Sequence, residues 1–395
     1  MARGTIGCEQ LAHKTDVLRA DALELDRGHE TEDTQRSGMW FDMSQRRCVD
    51  RPGRLRSVQS LAEQPMPGCP KRMVYGPCGG VRSDDGCEMI AAPCVFAELD
   101  TLPECAATGP ASVPRRIRVP LVLTDLSTPP ADAATLRSTA RLLAPTCDAL
   151  LVGDHQDRPD YPPSTLARLI ADAGADPWVT LACRDRNRIA LEQELRALRL
   201  DGLATVLCVT GDGRAFDVRP DVTQAFDLDG TRLAALAASV GLPVAVAETP
   251  TARPVRLRPQ RLVNKQRAGA AVGVLNHVPT SALLADFIDA ARSAGLTMPV
   301  VASVAVFTDE RSAAVLAALP GLEIARSRVE TVLGADDRVE AGIAAAVGEA
   351  LELLAVDGIG GVNLSGMASA GGVRVAAEIQ AETGRRIRAA LGRSR

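Results

Sequence analysis

Residues 178–212, WVTLACRDRNRIALEQELRALRLDGLATVLCVTGD, decide the reading of this chain. Trp178 to Cys183 is a short apolar run. Arg188 to Leu200 carries Ile189, Leu191, Leu195, Leu198 and Leu200 at roughly helical spacing, and Thr205 to Val209 is apolar and rich in β-branched residues before Thr210, Gly211 and Asp212. The stretch predicts a βαβ unit. Parallel strands buried on both faces read as continuous apolar runs, and polar groups just past their carboxyl ends are the usual site makers. Asp212 is therefore the first candidate for chemistry.

Working outward, the same alternation predicts eight strands: 119–126, 149–154, 178–183, 205–212, 243–248, 270–276, 300–306 and 361–365. Between them lie Ala-, Leu- and Arg-rich helical segments at about 133–145, 164–174, 188–200, 231–240, 258–268, 280–294, 309–318 and 340–356, with 371–391 closing the pattern. Eight such units in about 275 residues predict a (β/α)8 TIM barrel over 117–395. An open doubly wound sheet is the competitor, and no Gly-x-Gly-x-x-Gly follows the first strand to favour it.

Composition excludes several classes. With 45 basic and 49 acidic side chains and a net charge of −4, the chain of 395 residues offers no electrostatic footprint for nucleic acid. No apolar run approaches the roughly 20 residues needed to span a bilayer, and the N-terminus lacks the apolar core of a signal peptide. A cytoplasmic location is the expectation. Residues 1–60 are polar and without sustained periodicity, with Trp40, Phe41 and Met43 as candidate anchors; 101–116 reads as a Pro-containing linker.

Between them, residues 61–100 hold Cys69, Cys78, Cys87 and Cys94 in the spacing C-x8-C-x8-C-x6-C. The stretch is dense in Gly and Pro and too poor in apolar residues to hold itself together, so a zinc ion or iron–sulfur cluster on these thiolates would supply stability. The alternative is four reduced thiols in a loop-rich flap, and Cys48 and Cys105 are substitute ligands. Cys147, Cys183 and Cys208 stand singly in apolar segments and read as small buried hydrophobes.

Cys69-Pro70-Lys71, Gly76-Pro77-Cys78-Gly79-Gly80, Gly86-Cys87-Glu88 and Pro93-Cys94-Val95 resemble the cysteine-rich module that accompanies methylenetetrahydrofolate reductases in some bacteria and archaea. There it usually follows the barrel or sits on a partner subunit; here it lies in front. Residues 117–391 separately resemble the reductase barrel, through 181–187 (LACRDRN), 206–212 (VLCVTGD), and Lys265 with Ala268-Gly269-Ala270. The resemblance implies hydride transfer from NAD(P)H, through FAD, to 5,10-methylenetetrahydrofolate, giving 5-methyltetrahydrofolate, with the cofactor carrying the chemistry. It places Asp212 beside flavin and pterin and Lys265 beside the FAD phosphates. It also puts Gly211, Asp154, His155 and Thr180 around the cofactor and Asn276 on the substrate. Read from the residues alone, Lys265 is a solvated lysine on a helix face and Asp212 a helix N-cap.

Departures accompany the matches. The family's catalytic glutamate falls on Leu126, with Asp125 one residue earlier; a one-residue shift turns a strand side chain to the opposite face, so Asp125 as the acid requires a bulge. The family's Thr-Gln at the end of strand six is Leu275-Asn276, the fifth strand ends Ala247-Glu248-Thr249-Pro250 without the usual tyrosine and histidine, and Thr180 replaces a His or Gln. Three functional readings stay open: a divergent reductase; a different tetrahydrofolate-dependent methyl-transfer enzyme; and a non-catalytic subunit binding folate or a partner reductase, with a homo-oligomer as the other assembly. Asp185 and Asn187 read as caps of the third helix, and the glycine-rich loop around Asn363 and Ser365 as an approach for a phosphate or a folate tail.

Overall fold

The computed structural model describes residues 64–106, 117–213, 219–318 and 324–392. The polar segment 1–60, with Trp40, Phe41 and Met43, lies outside the described residues, as does 107–116 of the expected linker.

Eight parallel strands close into one barrel in sequence order, β1 pairing with β8. The strands are β1 Val122–Leu126, β2 Ala149–Val152, β3 Pro177–Ala182, β4 Thr205–Val209, β5 Val244–Glu248, β6 Val272–Leu275, β7 Val300–Ala305 and β8 Ile359–Ser365. The helices are α1 Ala133–Leu143, α2 Pro163–Asp172, α3 Arg188–Asp201, α4 Gly230–Ser239, α5 Arg258–Arg267, α6 Ser281–Ser293, α7 Glu310–Ala317, α8 Arg326–Leu333, α9 Arg338–Leu354 and α10 Val373–Ala390. The predicted TIM barrel is what forms. α8 is the addition; it is only eight residues long, and its apolar face is the small set Val329, Val332 and Leu333, too short a run for periodicity to stand out.

Side-chain alternation sorts the strand residues into two sets. Val122, Leu150, Val179, Val206, Val246 and Val362 pack outward beneath the helices, with Leu166, Leu191 and Leu233 among their partners. Leu123, Leu151, Trp178, Leu207, Ala245, Val274 and Val301 fill the interior. Two residues further along the same inward face come Asp125, Thr180, Val209, Ala247, Asn276, Ser303 and Asn363, so the layer at the carboxyl mouth is markedly more polar than the one below. A dry floor thus carries a polar rim, the arrangement that puts sites at this end of such barrels.

Asp125 reaches that rim without the bulge expected of it. β1 and β2 pair in unbroken register, Leu123 with Ala149 through Leu126 with Val152, and it is Leu126 that turns outward into the helix layer. Helix capping follows the sequence at Asn187, whose side chain accepts from Ala190 N–H, but Asp185 instead receives Arg184. The N-cap of α4 is Asp229, not Asp212.

The cysteine-rich segment belongs to the same compact unit as the barrel, Glu63–Arg395. Val74 N–H donates to Asp229 at 2.8 Å, Leu102 N–H to Gln260 at 3.0 Å and Cys105 N–H to Asn264 at 3.0 Å, tying it to α4 and α5. Met73, Phe96, Leu102 and Leu257 form its small core, against which Cys69, Cys78 and Cys94 pack. Residues 101–106 are docked on the barrel instead of hanging free.

Two glycines test the packing. A Cβ at Gly361 in β8 would run into the carbonyl oxygen of Pro120, whereas one at Gly348 in α9 meets nothing within 4 Å. Gly361→Ala is expected to cost about 1–3 kcal/mol by overpacking, and Gly348→Ala to gain about 0.5–1 kcal/mol from helix propensity. Urea unfolding midpoints that move down and up respectively are the check.

Candidate functional site at the barrel mouth

Two cavities occupy the mouth. The first, of 310 Å³, lies at the ends of β4 to β7 and is lined by Gly211, Asp212, Glu248, Arg261, Lys265, Asn276 and Ser303, with Lys71, Cys78 and Gly79 of the cysteine-rich segment forming a wall. The second, of 350 Å³, lies at the ends of β1 to β3 and is lined by Asp125, Asp154, His155, Asp160 and Thr180. The sequence-predicted residues therefore divide. Asp212, Gly211, Lys265, Asn276 and Cys78 meet in the first cavity; Asp125, Asp154, His155 and Thr180 meet in the second. Asp212 and Asp125 do not share a pocket.

The first cavity is organised by Glu248, the last residue of β5 and 2% exposed. Its carboxylate sits 2.7 Å from Arg261, 3.0 Å from Lys265 and 3.5 Å from Arg258, all on α5. Desolvation alone would raise the Glu248 pKa, but Arg261, Lys265 and Arg258 outweigh it and hold the carboxyl at about 2. Burial, reinforced by Arg261, lowers the Lys265 ammonium to about 7 despite Glu248. Lys265 also donates to the Ala247 carbonyl. At 2% exposure it is no solvated helix-face lysine. Sequence reasoning missed this cluster, although its signal was present: residues 258, 261 and 265 recur at one-face helical spacing, opposite a glutamate ending the preceding strand.

A second ion pair seats the cysteine-rich wall. Lys71 pairs with Glu88 and donates to the Gly211 carbonyl at 2.7 Å, while Gly213 N–H donates to Glu88 at 2.9 Å. Burial raises the Glu88 carboxyl, but Lys71 and the Cys78 and Gly213 donors together hold it below its usual range. Beside them Asp212 accepts from Gln156 at 3.3 Å, and desolvation, opposed by Lys71, raises its carboxyl. This leaves a partly dehydrated carboxylate facing the cavity, with the Asn276 amide lining the same space.

The four cysteines do not converge. Cys69, Cys87 and Cys94 lie near enough to feel one another's charge, whereas Cys78 donates to Glu88 at 2.9 Å and burial pushes its thiol up to about 12. Among the described residues no three His, Cys, Asp or Glu side chains are grouped as metal ligands. A zinc or iron–sulfur centre on four thiolates does not fit this arrangement. Of the FAD contacts that the resemblance implies, the Lys265 ammonium is paired with Glu248, as Arg261 is, and Lys71 is paired with Glu88; no Lys or Arg lines the second cavity, so a pyrophosphate there would rest on backbone N–H groups. In that cavity Asp154 is tied to Arg186 at 2.9 Å and His155 stands 3.4 Å from Asp160. His277 points elsewhere: it is buried on Ser365 Oγ at 2.5 Å, and desolvation lowers it to about 3, so the ring is neutral.

The chain matches no protein-family profile and no curated protein. Solved structures share its fold. An uncharacterised protein from Clostridium thermocellum that binds two copies of 5-methyl-5,6,7,8-tetrahydrofolic acid aligns with a TM-score of 0.53 at 14% identity, over 68% of this chain and 95% of that one. Tryptophan synthase from M. tuberculosis aligns at 0.37 and 14% identity, over 72% and 99%, too distant to bear on the site. No helix among the described residues is long and apolar enough to cross a membrane.

Glu248→Gln is expected to destabilise the chain by about 3–5 kcal/mol, because three buried cations lose their counter-charge. In the unaltered chain the depressed pKa stabilises the fold above about 4.5, and that contribution is lost as pH falls from there toward about 2. Unfolding midpoints of both proteins between pH 7 and pH 3 are the measurement: the gap between them should narrow on acidification.

Proposed function

We propose that the barrel binds a reduced folate at its mouth, the pterin seated in the cavity at the ends of β4 to β7, and that the activity it supports is methylenetetrahydrofolate reduction. The observation that carries this reading is the meeting of Asp212, a partly desolvated carboxylate, and Asn276 in one cavity. A pterin offers an amino group and a ring N–H side by side, a donor pair that a carboxylate accepts in fork geometry, while an amide pairs with either polarity on the remaining ring edge. Partial desolvation strengthens both contacts. A folate-binding protein of similar fold, that of C. thermocellum, and the sequence resemblance to the reductase barrel support the same ligand.

In this reading Asp212 orients the pterin and favours positive charge developing on it as the methylene bridge opens. Gln156 keeps the carboxylate aimed by donating to its far oxygen. Lys71 and Glu88 close the wall and exclude water. The hydride comes from reduced nicotinamide as a substrate.

The committed cations favour a second reading, a folate-binding chain without reductase turnover that serves a partner subunit. Oxidation of NADH or NADPH in the presence of 5,10-methylenetetrahydrofolate separates the two: consumption supports the reductase, and its absence with folate still bound supports the binding chain.

Asp212→Asn keeps the size of the side chain and removes its charge. Its affinity for 5-methyltetrahydrofolate should fall by about tenfold to a hundredfold, the worth of a hydrogen bond to a charged group. Calorimetric titration with an unchanged circular dichroism spectrum is the check, and unaltered affinity would remove Asp212 from the site.

A further inference from the structure

Lysine is scarce in this chain: of 45 basic side chains only Lys14, Lys71 and Lys265 are lysines, the rest arginines. Lys14 lies outside the described residues. The other two are both buried, and both line the cavity at the ends of β4 to β7. In a chain whose positive charge is otherwise guanidinium, every described amine side chain thus stands at one site. Their surroundings differ. Lys71 is matched one to one by Glu88 and donates to the Gly211 carbonyl. Lys265 shares Glu248 with Arg258 and Arg261, so three cations on α5 meet one carboxylate.

The charged groups around the cavity sharpen that difference. Glu88, Asp212 and Glu248 face Lys71, Arg258, Arg261 and Lys265, while Arg184, which also feels Asp212, is paired with Asp185. Cys78 and Cys94, near Arg258, are thiols that burial raises, so they bring no negative charge. One cation is therefore surplus. A guanidinium does not give up its proton in a protein, and Lys71 has a carboxylate of its own, so the surplus falls on Lys265. Loss of its proton leaves three carboxylates against three cations. The neutral amine keeps two hydrogens, and two acceptors are in place for them, the Ala247 carbonyl and Glu248 Oε2, the latter at 3.0 Å. The nitrogen lone pair is left over.

We propose that Lys265 is a nucleophilic amine that captures a small neutral aldehyde in this cavity as an imine. The nitrogen adds to the carbonyl carbon, a carbon–nitrogen double bond replaces the carbon–oxygen one, and the oxygen leaves as water with both amine hydrogens. An uncharged ligand fits because the six remaining charges already balance. Thr249, Asn276 and Ser303 line the same space with groups that pair with a hydroxyl on the aldehyde. This activity goes beyond the folate reading and does not rest on it.

The test incubates the full chain with glycolaldehyde and sodium cyanoborohydride from pH 5.5 to pH 9.5 and follows intact mass and a peptide map. Hydride from cyanoborohydride and a proton from water reduce the imine to a secondary amine, which adds the mass of one glycolaldehyde less one oxygen. At pH 7 Lys265 should be modified at least about tenfold faster than N-acetyllysine in the same solution, because an unperturbed lysine with a pKa of about 10.4 is almost wholly protonated there. The Lys265 rate should rise with pH to a plateau with its midpoint near 7, since burial and Arg261 hold its ammonium at about 7. Lys265→Met leaves the other charges balanced and should fold while losing the fast modification. If that variant fails to fold, the peptide map and pH midpoint of the unaltered chain decide by themselves. A Lys265 rate no faster than the comparator, a midpoint above about 9, as for an unperturbed amine, or fast modification carried by Lys71 instead overturns the proposal.

Discussion

The mouth of this barrel depends on one buried carboxylate. Glu248 draws Arg258, Arg261 and Lys265 onto a single point, and Arg258, fully buried, passes the constraint onward by donating to the carbonyls of Pro77 and Cys78 at 3.2 and 2.9 Å. Burial, opposed by Glu248, lowers even this guanidinium to about 10. The cluster therefore does three things at once. It fixes α5 against β5, fastens the cysteine-rich segment over the barrel, and keeps three of the mouth's cations paired with one carboxylate. An isolated charge in that position would be untenable; here one carboxylate is shared by three cations, and backbone carbonyls of Ala252, Pro77, Cys78 and Ala247 take further donors of Arg258 and Lys265.

From that anchor the wall of the first cavity follows. The fastening at Pro77 and Cys78 places Lys71 and Glu88 against the β4 loop, where the Gly211 carbonyl and the Gly213 N–H receive them. The approach is close enough that a side chain at Gly213 would collide with Met89, and one at Gly80 with the Glu88 carboxylate. Cys69, Cys78 and Cys94 pack against the cluster of Met73 and Phe96.

Much of this architecture was legible in the sequence because the strands are buried on both faces and the helices on one. Trp178 to Ala182 and Val206 to Val209 announce themselves as apolar runs, and only their ends were overextended, since Thr210 to Asp212 continue the run's direction without its pairing. Of the rim residues, Asp212 was found by its position past a strand end, whereas Asn276, Asp125 and Thr180 came from the family resemblance. Their division between two cavities was not, because linear order says nothing of which strand ends face each other across a ring. The facing of Asp125 was misjudged for a different reason: family alignment made Leu126 the inward residue, whereas the parity of Leu123 in this chain's own core settles the matter. Lys265 was found and its surroundings missed, because a buried ion cluster is a property of four residues on two elements and no single one of them signals it.

The order in which the chain is made gives the wall a kinetic meaning. Residues 71–88 leave the ribosome long before Glu248 and Arg258 exist to hold them, and well before Gly211 can accept their lysine. Until α5 is synthesised, the nascent segment has its internal Lys71–Glu88 pair but lacks the Arg258 donors that fasten Pro77 and Cys78, so that fastening waits for later chain. Closure of the pocket is thereby a late event in biogenesis, and a truncated translation product ending before α5 would carry the stave that begins the ring without the means to seal it.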